Sequence, residues 1–303
     1  MTTPDAETLI ITSDEEGKRL DRVLADRYPD AHSRTYLQWL IEERYVLLNQ
    51  QPTKKRIKVS SGDQVDVRFV LAPEIELIPE EIPLNIIYED DAIIAVNKPA
   101  GLVVHPGAGN WSGTFVNGLL FHCRTLPDGG ELRPGIVHRL DKGTTGVLVA
   151  AKTTEAQQKL IELFSSRQVY KEYLAVCIGN PGKGTVDAPI ARHPTQRQKM
   201  AVVEGGRHAV THYETVRYNA SLSIVKLILE TGRTHQIRVH LKTLGCPVLG
   251  DPVYGSASMN QKFQLERQML HADKLRLPHP VTGEEITLEA PVPEDMAAMI
   301  RKI

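Results

Sequence analysis

The chain has 303 residues, a formal net charge of -1, 41% hydrophobic and 24% charged residues, an ordinary globular composition with enough length for one large and one small domain; with charge so nearly balanced, any nucleic-acid-binding surface is local. Cys123, Cys177 and Cys246 are far apart, odd in number and never spaced C-x-x-C, which argues against a disulfide scaffold or a cysteine zinc site. No apolar run reaches the ~20 residues of a membrane span, and the start Met1-Thr2-Thr3-Pro4-Asp5-Ala6-Glu7 lacks a signal-peptide pattern, so a cytoplasmic protein is expected.

The first element is a helix over Arg19 to Tyr28, with Leu20, Val23 and Leu24 at helical spacing and Pro29 as its stop. Ser33 caps a second helix that carries Tyr36, Leu37, Leu40 and Ile41. Strands follow at Tyr45 to Asn49 and Gln64 to Arg68, the second introduced by the turn Ser61-Gly62-Asp63. Basic residues gather in this region: Lys18, Arg19, Arg22, Arg34, Lys54, Lys55, Arg56 and Lys58. Residues 73–84, with Pro73, Pro79 and Pro83 among glutamates, read as an extended linker between a module at 14–72 and a larger domain at 85–303.

The larger domain opens with strands at Ile86 to Tyr88 and Ala92 to Val96, and a buried strand is expected at Val147 to Ala151. Thr154 with Gln157 fits a capping box for a helix carrying Ala156, Leu160, Leu163 and Phe164. The strand Lys171 to Ile178 should place Tyr173, Ala175 and Cys177 on one face and Leu174, Val176 and Ile178 on the other. Ser223 to Leu229 is a further strand, and His235 to Leu244 a helix with Ile237, Leu241 and Leu244 on one face and Gly245 as its stop. Strands and helices alternate without a regular βαβ rhythm, so the class is α+β.

The chemistry concentrates in His138-Arg139-Leu140-Asp141-Lys142-Gly143-Thr144-Thr145-Gly146. Arg139 and Lys142 favour the ionised form of Asp141, and a loop-held carboxylate serves as nucleophile or base. The same carboxylate in a tight turn is also a good local cap, so residue chemistry alone leaves both roles open. Farther on, Arg233 precedes the helix opening at Thr234 to Gln236 and Arg238 lies in its first turns, which together with the partial positive charge of a helix start points to anion binding.

The string from His138 to Gly146 resembles the signature loop of the large-subunit ribosomal RNA pseudouridine synthases. Two more blocks in the right order carry the resemblance: Asn97-Lys98-Pro99-Ala100-Gly101-Leu102-Val103-Val104-His105-Pro106-Gly107 and Thr231-Gly232-Arg233-Thr234-His235-Gln236-Ile237-Arg238-Val239-His240. The resemblance extends over about residues 10 to 300. It implies a catalytic domain with a mixed, mainly antiparallel central sheet and a cleft. The order of Gly17 to Asp21, Ser33-Arg34, Val46 to Asn49, the basic stretch and Gly62 to Val65 resembles the small α/β RNA-binding module named after ribosomal protein S-four, which holds folded RNA through phosphates and shape.

What the resemblance implies for single residues is specific. Asp141 acts on the target uridine, Arg238 pairs with it and orients it, and Tyr173 stacks on the base, with Tyr170 as the alternative one face over. Arg139 fills the gap left by the nucleotide, which must leave the stack for its glycosidic bond and carbon five to be reached. The reaction detaches uracil, turns it and rejoins it through carbon five, with Asp141 attacking the sugar or the base, or abstracting a sugar proton. It needs no cofactor, and the chain has neither G-x-G-x-x-G nor a P-loop. The expected partner is RNA, large-subunit ribosomal RNA first and another structured RNA second, with a monomer and no obligate protein partner.

Other readings differ in what they need. His193, His208, His212, His235, His240 and His271 match no metal-ligand spacing, so no metal is expected. A silent RNA-binding protein has no use for Asp141, Arg139, Tyr173 and Arg238 together. A hydrolase of N-glycosidic bonds generally employs paired carboxylates, whereas this loop offers one among cations.

Overall fold

The computed structural model describes residues 7–28, 34–70, 77–107, 110, 112–123, 126–127, 133–196 and 199–303, with side chains from 36 onward in the second of these stretches. The chain divides into two compact units, Met1–Glu76 and Leu77–Ile303.

The first unit contains β1 (Glu7–Ile10), α1 (Leu20–Arg27), α2 (Arg34–Glu42), β2 (Val46–Leu48), β3 (Gln51–Pro52) and β4 (Gln64–Val67). Its strands form an antiparallel sheet in the order β1-β4-β2-β3. Leu20, Val23 and Leu24 of α1 and Leu37, Leu40 and Ile41 of α2 bury against Val46, Val65 and Val67, as helical and strand spacing require. Strand β1 lies ahead of residue 14, where the sequence places the start of the module; its four residues, mostly exposed, carry no periodic signal and are held by pairing with β4. The expected stop at Pro29 and cap at Ser33 lie outside the described residues, as does the segment 71–76.

The second unit is built on β5 (Ile86–Glu89), β6 (Ile93–Lys98), α3 (Phe115–Cys123), β7 (Thr145–Ala151), α4 (Thr154–Ser165), β8 (Tyr170–Ile178), β9 (Lys183–Asp187), β10 (Ile190–Arg192), β11 (Met200–Val202), β12 (Val210–Tyr218), β13 (Leu222–Leu229), α5 (Gln236–Thr243), α6 (Ala257–Phe263), β14 (Leu270–Pro278), β15 (Glu285–Glu289) and α7 (Glu294–Ile300). A nine-stranded sheet runs β5-β6-β7-β14-β8-β13-β12-β9, with β15 on β14. Of its pairings only β7 with β14 is parallel. The protein is therefore α+β with a mixed, mainly antiparallel sheet, as the resemblance implies.

Both faces of the sheet are covered, which explains the unbroken apolar runs of β6 and β7. Ile93, Ala95, Val147 and Val149 pack with Leu160 and Leu163 of α4 on one face, and Ile94, Val96, Leu148 and Ala150 with Phe115 and Leu119 of α3 on the other. Strand β8 divides the same way: Tyr173, Ala175 and Cys177 face Ile237 and Leu241 of α5, while Leu174, Val176 and Ile178 face Met296 and Met299 of α7.

Two local expectations are corrected. The cap of α4 is Thr153 rather than Thr154: its hydroxyl accepts the Ala156 amide at 3.2 Å, because only the residue ahead of the first helical one has the extended backbone a cap needs. Leu244 does not join the buried face of α5; it stands at the frayed end, exposed, where the helix closes. Gly245, at φ 72°, supplies that closure, with the Cys246 amide bonded to the Leu241 carbonyl at 3.0 Å.

Candidate active site

The loop of residues 138–146 is clamped on every side before it enters β7. The Thr144 amide donates to the Asp141 carbonyl at 3.0 Å, and the Gly101 amide to the Lys142 carbonyl at 2.8 Å. Gln268 donates to the Thr144 hydroxyl at 3.0 Å, and Thr145 Oγ1 pairs with His271 Nδ1 at 2.8 Å. The buried Lys98 ammonium donates to the carbonyls of Pro99, Leu102 and Lys142, which ties the block at 97–107 to the same loop. Burial pushes its pKa down to about 8. His138 is part of the frame: Nε2 accepts the Val149 amide at 3.0 Å, the ring stacks on Phe164, and burial lowers its pKa to about 3, so it stays neutral.

Asp141 projects from this frame with a fifth of its side chain exposed. Arg238, from α5, donates Nη1 to Oδ2 at 2.9 Å. Among the described residues Oδ1 has no hydrogen-bond partner. The remaining edge of Arg238 is held by Asp251, bidentate at 2.7 and 2.9 Å, and Asp251 Oδ1 also accepts the amides of Val253 and Tyr254. Burial opposes the charge of both partners; their mutual hydrogen bonds and charge outweigh it, holding Arg238 above its usual pKa and Asp251 below. Arg238 therefore remains a cation pinned between two carboxylates.

Tyr254 completes the brace. Its ring lies 5.0 Å from the Arg238 guanidinium, and its hydroxyl accepts the Met200 amide at 2.7 Å and pairs with His235 Nδ1 at 2.8 Å. His235, in the left-handed conformation ahead of α5, stands with Nε2 3.9 Å from Asp141, beyond hydrogen-bond reach; burial lowers its pKa.

A cleft of about 690 Å³ opens above Asp141, lined also by Arg139, Tyr173, His235 and Arg238. Tyr173 is half-buried, its hydroxyl without a hydrogen-bond partner among the described residues; burial, and after it the charge of Asp141, raises its pKa, so it remains a neutral phenol. Tyr170 does not line this cleft: odd and even positions of β8 face opposite sides, and its hydroxyl donates to Glu172 at 2.5 Å. Arg139 is exposed, borders this cleft and a neighbouring one, and has no ion pair among the described residues. The structure thus brings together Asp141, Tyr173, Arg238 and Arg139.

Sequence reasoning misses Asp251 and Tyr254. Their only signal is an apolar run ending in Gly250-Asp251, and nothing in that run points to Arg238. Among the described residues Glu89, His122 and Cys123 could hold a metal, but Lys152 already bonds Glu89 at 2.8 Å and none of the three lines the cleft.

In the first unit, the segment 54–59 runs back along 17–21, with the Leu20 amide bonded to the Ile57 carbonyl at 2.9 Å and the Val59 amide to the Lys18 carbonyl at 3.0 Å. Lys18, Arg22, Lys54, Arg56 and Lys58 are thereby gathered and exposed, while Arg19 is paired with Asp21 and Lys55 with Glu42. The Arg34 side chain lies outside the described residues.

Known proteins share this chain and fold. Residues 92–243 match the RNA pseudouridylate synthase family. A ribosomal large subunit pseudouridine synthase D from Escherichia coli K12 is 43% identical over 97% of this chain and 93% of its own length, and one from Xanthomonas campestris 45% over 96% and 90%. Among solved structures, human RNA pseudouridylate synthase domain containing 4 is 31% identical, with TM-score 0.57, over 72% of this chain and 92% of that one. Matching over nearly its whole length, and carrying a carboxylate, a guanidinium and a phenol in one cleft, the chain belongs to the RNA pseudouridylate synthase family.

Proposed function

We propose that this protein converts specific uridines of large-subunit ribosomal RNA to pseudouridine, with Asp141 as the group that starts the reaction. The observation that carries the assignment is the state of its carboxylate: Oδ2 is held by Arg238, and Oδ1, without a partner among the described residues, is free at the cleft. Attack on the sugar, attack on the base and abstraction of a sugar proton all need an ionised carboxylate with an available lone pair. Arg238 keeps that oxygen aimed, and Tyr173 offers a ring for the uracil and a neutral hydroxyl beside it. Arg139, free at the mouth, takes the place of the extruded nucleotide.

The isomerisation breaks the bond from N1 to the sugar and makes one from C5. The proton leaves C5 and N1 gains one, so the atoms balance without a cofactor. The substrate follows from the names of the relatives, synthases of the ribosomal large subunit. The module at 14–72, joined through 73–84 to the catalytic domain at 85–303, acts as the S-four-like RNA grip, its exposed Lys18, Arg22, Lys54, Arg56 and Lys58 meeting phosphates and Arg19, Arg34 and Lys55 completing the basic set. The protein works in the cytoplasm as a monomer on RNA; no helix among the described residues is long and apolar enough to cross a membrane.

Asp141→Asn keeps the shape of the side chain and removes its charge. Turnover, followed as release of tritium from uracil C5 in purified RNA, is expected to fall by on the order of a thousandfold or more; full activity would show that another group starts the reaction. Chemical mapping of pseudouridine in ribosomal RNA from cells with and without the protein tests the substrate, and identical maps would overturn it.

A further inference from the structure

One wall of the cleft carries positive charge that the chemistry at Asp141 does not use. Lys171, on β8, is 7% exposed, and its ammonium donates to the Glu230 carbonyl at 3.2 Å without an ion pair to any carboxylate among the described residues. Arg167 closes α4 in the left-handed conformation, reaching the Glu230 carboxylate at 3.8 Å and the His208 ring at 3.4 Å. Arg233, on the turn between β13 and α5, donates to the His208 carbonyl at 3.0 Å. Arg207, next to His208, is exposed and has no ion pair among the described residues. All four line the cleft.

Positive charge outnumbers negative along this wall. Among the described residues Glu230 is the one carboxylate of the lining near these groups, and His212 already engages it at 2.7 Å. Burial, followed by the fields of Arg167 and Arg233, pushes Lys171 down to about 8. Like charges from three separate turns, grouped around a buried amine, repel one another and are relieved by an anion. The anion's position is set by β8: residues 171 and 173 share a face about 7 Å apart, so it lies a single nucleotide's reach from a base stacked on Tyr173.

We propose that Lys171, Arg167, Arg207 and Arg233 form a subsite for the backbone phosphate of the nucleotide next to the extruded uridine. The proposal rests on this cleft being where uridine is isomerised, and it extends the anion site expected from Arg233 to a full wall of the cleft. Its effect is on binding and placement of the strand, so the loss should appear in affinity and salt dependence rather than in the bond-making step.

The test is the affinity of a fluorescein-labelled RNA hairpin with a looped uridine, measured against potassium chloride concentration in full-length Asp141→Asn protein. Lys171→Met, Arg207→Gln and Arg233→Gln are each expected to weaken binding by roughly threefold to tenfold and to lower the slope of log affinity on log salt by about 0.7. Arg301→Gln, which removes an exposed charge at the end of α7, controls for net charge and should change neither. With Asp141 intact, Arg207→Gln and Arg233→Gln should raise KM while kcat stays within about twofold. Affinity and slope equal to the parent in both arginine variants, or a fall in kcat at constant KM, would overturn the subsite. Arg207 is exposed, so its variant remains informative if Lys171→Met fails to fold. Should Asp141→Asn prove fully active, the assignment of Asp141 fails while the binding series still decides the subsite.

Discussion

Arg238 divides its donors between two carboxylates of unequal burial. Asp251, wholly buried, takes Nε and Nη2, and Asp141, at the cleft, takes Nη1. The buried grip fixes the plane of the guanidinium, and that plane sets where Oδ1 of Asp141 points. Replacing Asp251 by Asn leaves an amide nitrogen facing an Arg238 N–H, which turns the guanidinium out of place. A displacement near 1 Å at a reacting group costs on the order of a hundredfold. Asp251→Asn is therefore expected to lower kcat by about that factor with little change in KM, and unaltered kcat would show that Arg238 holds its orientation unaided. Asp141 and Arg238 were legible in the sequence because each sits in a contiguous string of distinctive residues; Asp251 was not, since its role exists only through a contact 13 positions away.

Among elements, the turn into β7 is the most constrained. Strand β14 pairs in parallel with β7 at Ala272 and Gly146, so that a Cβ at Gly146 would lie 2.1 Å from the Ala272 carbonyl oxygen. With φ at 110°, the position also refuses an L side chain on its own backbone. Gly146→Ala is expected to cost about 3 kcal/mol or more, measured as a lowered midpoint in urea, and to reduce turnover because the same turn carries Asp141. An unchanged midpoint would mean that β14 can yield. The sequence marks this glycine as a tight turn, but β14 itself, which runs from Leu270 through His271, Asp273 and Lys274 with no clean alternation, goes unread. β6, β7 and β8 are legible because each is a long apolar run or a clean two-residue pattern.

At the scale of the molecule, the chain folds as two units with separate cores, and under the proposed function the first grips RNA while the second isomerises it. The exposed Lys54, Arg56 and Lys58 of the first unit are brought beside Lys18 and Arg22 by the return of the segment 54–59. Exchanging Lys54, Arg56 and Lys58 together for Gln should weaken binding of a structured ribosomal RNA fragment and take about 0.7 to 0.9 off the salt slope for each phosphate that the protein no longer neutralises. Turnover of a short hairpin at saturation should be preserved. A salt slope equal to the parent would show that this surface does not meet phosphate.

What the sequence determined by itself is whatever lies close along the chain: the class of fold, the helices and strands with strong periodicity, the signature loop around Asp141, and the basic stretch of the first unit. Local propensity and covalent spacing suffice for these. The tertiary structure alone decided which distant residues became neighbours. The order β7-β14-β8-β13 and the placement of α5 bring Asp141, Tyr173 and Arg238 to one cleft, set Asp251 and Tyr254 behind Arg238, and collect Lys171, Arg207 and Arg233 on one wall. Side chains contributed by separate strands and turns leave no periodic mark, because their common environment is created by the sheet and not by the chain.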